Sequence, residues 1–124
     1  MSSLTKQTTF TFPKVRQLSG HKSQNDSSLS TWLNQSDKQL TLIVFKADWA
    51  GSVAILSGFL ERIFEEMPNF VIHWVDVETN RELSLSFGVN QVPSIIMLRE
   101  HEVVDHVNGV IPRRKLADRM AKHL

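Results

Sequence analysis

Residues 40–47, LTLIVFKA, constrain this chain more than any other stretch. Apolar residues fill both alternating sets of positions, and β-branched residues are frequent. Such a run reads as a strand buried on both faces, which calls for cover on two sides. The residues after a short turn supply some of that cover. In SVAILSGFLERIFEEM (52–67), Ile55, Leu56, Phe59, Leu60, Ile63, Phe64 and Met67 recur at helical spacing, with Glu61, Arg62, Glu65 and Glu66 opposite. FVIHWVDVE (70–78) reads as a second central strand. Strand, crossover helix and strand in this order predict parallel pairing.

The flanking segments extend the pattern. TFTFPKVRQL (9–18) alternates as a short edge strand, and Pro13 fits an edge better than a sheet centre. In DSSLSTWLNQSDKQ (26–39), Leu29, Trp32 and Leu33 share one face of a short helix that opens with Asp and Ser caps. NRELSLSFGV (80–89) predicts another short helix, ended by Gly88. SIIMLRE (94–100) and EVVDHVNG (102–109) predict an antiparallel hairpin with a tight turn at Glu100-His101. PRRKLADRMAKHL (112–124) reads as a final helix with Pro112 at its first position and Leu116, Met120 and Leu124 on its inner face. Gly58, inside the long helix, costs about 1 kcal/mol against Ala and permits a bend. The expectation is an α/β fold: a central mixed β-sheet of 4–5 strands with helices on both faces.

Composition narrows the chemistry. The chain has 124 residues, enough for one domain with a core, and a net charge of +1 that calls for neither nucleic acid nor membrane as partner. No apolar run approaches the roughly 18 residues of a membrane span, and the N-terminus has no apolar stretch of secretory type. The cytoplasm is the expected compartment. There is no cysteine, so a disulfide, a thiolate nucleophile and a Cys-ligated metal are all excluded. Residues 1–25 carry Lys6, Lys14, Arg16 and Lys22 and no acid. They read as a basic polar arm ahead of a domain at 26–124, solvated or touching an acidic partner.

With ADWAGSV at the start of the second helix and QVPS before the hairpin, residues 26–124 resemble the thioredoxin family. Trp49 and Gly51 match the Trp and Gly around that family's Cys-Gly-Pro-Cys motif. Pro93 matches its cis-proline, Gly109 a glycine near the end of the last strand, and Gly58 the place of a helix-kinking proline. The departures fall where the family does its chemistry. Ala50 and Val53 stand for the two cysteines and Ser52 for the proline between them. Val44 and Trp74 stand for a buried Asp and its Lys partner, where they would make a plain apolar core. The resemblance therefore implies a thioredoxin-like fold with a degenerate, redox-inactive motif at Trp49, Ala50, Gly51, Ser52 and Val53, and no catalytic residue, cofactor or metal.

It also implies a surface. In the family the residue before the cis-proline exposes its backbone to an extended peptide, as in strand addition. Here that surface would comprise Trp49, Val77, Gln91, Val92, Pro93, Asn108 and Gly109. A protein or peptide partner, held by an adaptor or chaperone-like module, is the leading expectation; Pro93 as pure architecture is the alternative. An oxidoreductase by family likeness alone and a self-associating structural protein are the others.

Other candidates carry less. Ser52 is the only hydroxyl in the turn and has no His nearby in sequence, so a helix-capping or first-turn role is expected. His21, His73, His101, His106 and His123 show no metal-ligand spacing; His101 and His106 flank the hairpin turn and could meet. Arg113, Arg114 and Lys115 at a helix start could recruit a phosphate or acidic group, or form a solvated face.

Overall fold

A computed structural model of the chain describes residues 23–124, so the basic arm and its edge strand lie outside the described residues, apart from the arm's last few positions. Eight elements follow: α1 (Ser23–Ser36), β1 (Leu40–Lys46), α2 (Ser52–Glu66), β2 (Phe70–Asp76), α3 (Arg81–Ser86), β3 (Ser94–Arg99), β4 (Glu102–Asn108) and α4 (Arg113–Ala121). The described strands form one mixed sheet in the order β2-β1-β3-β4. β2 runs parallel to β1, while β3 is antiparallel to both β1 and β4.

β1 behaves as its composition demands. Ile43 and Phe45 pack on one face against Leu29 and Trp32 of α1, Leu83 of α3 and Phe87 just after it. Leu42 and Val44 pack on the other against Leu56, Leu60 and Ile63 of α2 and Leu116 and Met120 of α4. Alternating side chains thus feed two cores, and the sheet is filled on both sides.

The α2 stripe is narrower than the sequence predicts. Only Leu56, Leu60 and Ile63 are buried, whereas Ile55 and Phe64 are about half exposed, because the helix meets the sheet along one line. Pro112 caps α4 rather than starting it, and Leu124 lies beyond the helix and is exposed. Gly88 ends α3 as expected. With φ of 72° it lets Val89 N–H donate to Ser84 O and Gly88 N–H to Leu85 O, satisfying two helix-end carbonyls.

Among the described residues β2 has β1 on one side and no strand on the other, and the edge strand expected at 9–18 lies outside them. Val44 is fully buried, but its register partner Trp74 is 39% exposed, so the two do not make a closed apolar core.

Away from the β1–α2 turn, the opposite end of the sheet is closed by polar contacts. Ser36, wholly buried, accepts from Glu100 N–H and an Arg99 guanidinium nitrogen at its carbonyl and from His101 N–H at its hydroxyl. Arg99 also donates to the carbonyl of His123, and His101 bonds Asp37 at 2.7 Å. The tight turn at Glu100-His101 has φ of 55° and 65°, the two positive values that suit a hairpin. A register shift at Met97/Leu98 leaves Val104 unpaired, and Asp105 then reaches Arg119 on α4. No described helix is long and apolar enough to cross a membrane.

Candidate functional site

The turn from β1 to α2 carries the degenerate motif. Asp48, Trp49 and Gly51 are exposed, and Ala50 is partly covered. Ala50 N–H donates to Ala47 O and Val53 N–H to Ala50 O, so positions 50 and 53 stand one turn apart at the helix start. Both bear inert aliphatic groups. Gly51, not Ser52, occupies the cap position, and no side chain caps the helix. Ser52 is the first helical residue, with no histidine or carboxylate bonded to it, and a lone hydroxyl in that setting is not an activated nucleophile.

Trp49 is 69% exposed, yet it is held: its indole N–H donates to Glu78 Oε2 at 2.8 Å. Glu78 is in turn placed by the loop after β2, where its N–H donates to Asp76 Oδ1 at 2.8 Å and Asn80 bonds Asp76 O at 2.9 Å. Lys46 Nζ lies 3.5 Å from Asp48 and 3.9 Å from Asp76. Such exposed pairs contribute little stability, but they fix the local charge as net negative.

A second group gathers where β3 begins and β4 ends. The Val92-Pro93 peptide is cis. Gly109 N–H donates to Pro93 O at 2.7 Å. Ser94 Oγ donates to Gln91 O at 2.8 Å, with the Asn108 side-chain amide 3.3 Å away. Gly109 has φ of 76°, and a Cβ there would sit 3.2 Å from Gln91 Nε2. The structure therefore brings Gln91, Pro93, Asn108 and Gly109 together, with Val92 in the same loop. Val77 donates its N–H to Lys46 O and packs against the α1-side core beside the Trp49–Glu78 pair. No hydrogen bond joins the two groups among the described residues.

A cleft of 530 Å³ opens beside the turn. It is lined by Lys46, Ala50, Gly51, Val53, Ser57 and Trp74, so it takes in part of the degenerate motif but neither Trp49 nor the cis-proline loop. A neighbouring cleft of 390 Å³ shares Ser57 and Trp74 and continues along α2 past Glu61, Phe64 and Glu65. Sequence reasoning missed both this groove and Glu78.

His21 lies outside the described residues, and His101 and His106 do not meet. His101 bonds Asp37, whereas His106 faces Ile96 across the ladder. His73 stacks on Trp32 at 5.3 Å and lies 2.7 Å from Gln35 Oε1, and burial lowers its pKa. No group of three His, Asp or Glu among the described residues could hold a metal ion. Arg113 pairs with Glu66 at 3.6 Å, which leaves Arg114 and Lys115 exposed on α4.

Residues 20–122 match the family model described as thioredoxin. The chain is 31% identical over 83 residues to a putative thioredoxin 2 of Streptomyces coelicolor, covering 67% of this chain and 62% of that protein. It is 30% identical to a Bacillus subtilis thioredoxin over 73% of this chain and 88% of that one. The solved thioredoxin of Fasciola hepatica superposes with a TM-score of 0.71 at 23% identity, over 80% of this chain and 94% of that one, a likeness of fold.

Proposed function

The chain belongs to the thioredoxin family, and on that premise we propose that it is a non-catalytic member that holds an extended protein segment on the face around Trp49 and Val92-Pro93. Dithiol–disulfide exchange needs an attacking thiolate and a partner sulfur, and this chain has no cysteine. The observation that carries the reading is Trp49. A large indole is left 69% exposed while its one polar atom is already bonded to Glu78. A pinned, solvent-facing Trp has little rotamer freedom left to lose and much apolar area to bury, the usual attributes of an interface anchor. At the β3 and β4 ends, Gln91 and Asn108 carry side-chain amides close to the cis-proline loop.

The test is a nuclear magnetic resonance titration with a panel of extended peptides, following the Trp49 indole and the Val92 methyls. A subset of peptides should shift both. Trp49→Ala should weaken that binding by about 10-fold or more, as truncation of an anchor typically does. If no peptide moves either resonance, the reading is wrong.

A further inference from the structure

Resting on the reading of the Trp49 and Val92-Pro93 face as a peptide site, we propose that the segment it holds carries an arginine, whose guanidinium stacks on the Trp49 indole and bonds the carboxylates of Glu78 and Asp48. The face is charged at one end only. Residues 90–94 of the cis-proline loop and 108–109 at the neighbouring strand end bear no formal charge. The Trp49 end carries three carboxylates, those of Asp48, Asp76 and Glu78. Among the described residues their ion pairs are both with Lys46, 3.5 Å from Asp48 and 3.9 Å from Asp76. Arg81, which opens α3 beyond this loop, pairs with none of them. One ammonium thus faces three carboxylates, and the surplus is negative.

Glu78 is the best placed of the three. Its Oε2 accepts the Trp49 indole N–H at 2.8 Å, and its own N–H bond to Asp76 fixes the loop beneath it. Its Oε1 has no partner among the described residues, so a free carboxylate oxygen stands close to the edge of an exposed ring. Lys46 makes no bond to Glu78, being engaged by the other two acids. The Asp48 side chain, next to Trp49 in sequence, is 89% exposed and meets Lys46 only at the outer limit of a hydrogen bond.

This arrangement suits arginine above other side chains. With the indole N–H already bonded, the ring offers a partner its two π faces. A cation over such a face is attracted by the ring quadrupole, most strongly for Trp. A guanidinium is planar, stacks on aromatic rings and donates to a carboxylate from the same plane, whereas the compact lysine ammonium holds its water more tightly. One arginine can therefore lie on Trp49 and donate to Glu78 Oε1 together, its aliphatic stem covering apolar ring surface. An acidic side chain at the same place would meet like charge. The backbone of the segment remains free to pair at Val92, as in strand addition.

The test uses the full chain, isotope-enriched, and a set of short peptides of Thr and Ser with a central Val. They differ at the one position beside that Val, which is Arg, Lys, citrulline or Glu. Citrulline keeps the shape of arginine and lacks its charge. The Arg peptide should shift the Trp49 indole and Val92 methyl signals and bind about 5- to 10-fold more tightly than the citrulline peptide. The Lys peptide should fall between them and the Glu peptide should bind least. Added salt should narrow the gap. In Glu78→Gln the amide oxygen still accepts from the indole while the charge is gone, so the ratio of Arg to citrulline affinity within that variant should fall toward one. Equal affinity for the Arg and citrulline peptides would overturn the proposal and leave the peptide face standing. Equal affinity for Arg and Lys would overturn the stacking on Trp49. A ratio that survives both Glu78→Gln and Asp48→Asn would overturn it as well, since the acids would not be its source. If the Arg peptide shifts neither signal the proposal fails; the face itself then stands only if a neutral peptide shifts them.

Discussion

Asp105 shows what one polar residue contributes here. Its carboxylate accepts from two guanidinium nitrogens of Arg119, and that bonding holds its pKa below the ordinary carboxylate value, with the backbone N–H of His106 and the nearby His123 adding to the effect. A depressed carboxylate stabilises the fold above its unfolded pKa, and that stabilisation fades as pH falls through the lower, folded value. Asp105→Asn should therefore cost about 1–2 kcal/mol at neutral pH, a range that discounts the partly exposed Arg119. In urea unfolding the gap between wild type and variant should close as the pH drops below about 4. Gly109 gives a second case. Its φ of 76° disfavours any side chain, so Gly109→Ala should lower stability by about 1 kcal/mol, read from the same denaturation midpoints. Both Gly109 and Trp49 could be picked out in the sequence, because the resemblance to the thioredoxin family matches each to a marked position. Glu78 could not, because its role depends on a loop that returns it to a residue 29 positions earlier.

At the level of elements, periodicity located every described helix and strand and erred on how deeply each is covered. All seven apolar positions assigned to the inner face of α2 lie on a real stripe, but contact with the sheet buries only three of them. The resemblance, which sets Val44 and Trp74 in the places of a buried Asp and its Lys partner, implies an apolar pair there, yet Val44 is fully buried and Trp74 39% exposed. Of the two roles expected for Ser52, cap or first turn, the backbone gives it the first turn and leaves the cap to Gly51. Gly58 yields a prediction at this scale. A Cβ there meets nothing within 4 Å and the helix continues through it, so Gly58→Ala should stabilise the protein by about 0.5–1 kcal/mol in thermal or urea unfolding.

For the molecule as a whole, the loss of both motif cysteines makes a direct forecast. The purified chain should not accelerate the reduction of insulin by dithiothreitol above the uncatalysed rate, and any clear acceleration would contradict the assignment of the turn as inert. The fold was legible because several weak marks stand in a fixed order along the chain, each tied to a backbone demand. The groove beside Trp74 was not legible, because it arises from what β2 and α2 leave uncovered after folding.

The contacts at Ser36 bear on which residues the fold depends on. One buried serine joins the end of a helix to the hairpin turn, and Arg99 carries the tie on to the C-terminal helix. All of this happens at the end of the sheet remote from residues 48–53. Anchorage and reactivity are thus housed at opposite poles. Residues at the turn's pole can therefore change with little effect on the contacts that hold the other, so Ser36→Ala should cost stability while substitutions at positions 50 and 53 should cost little.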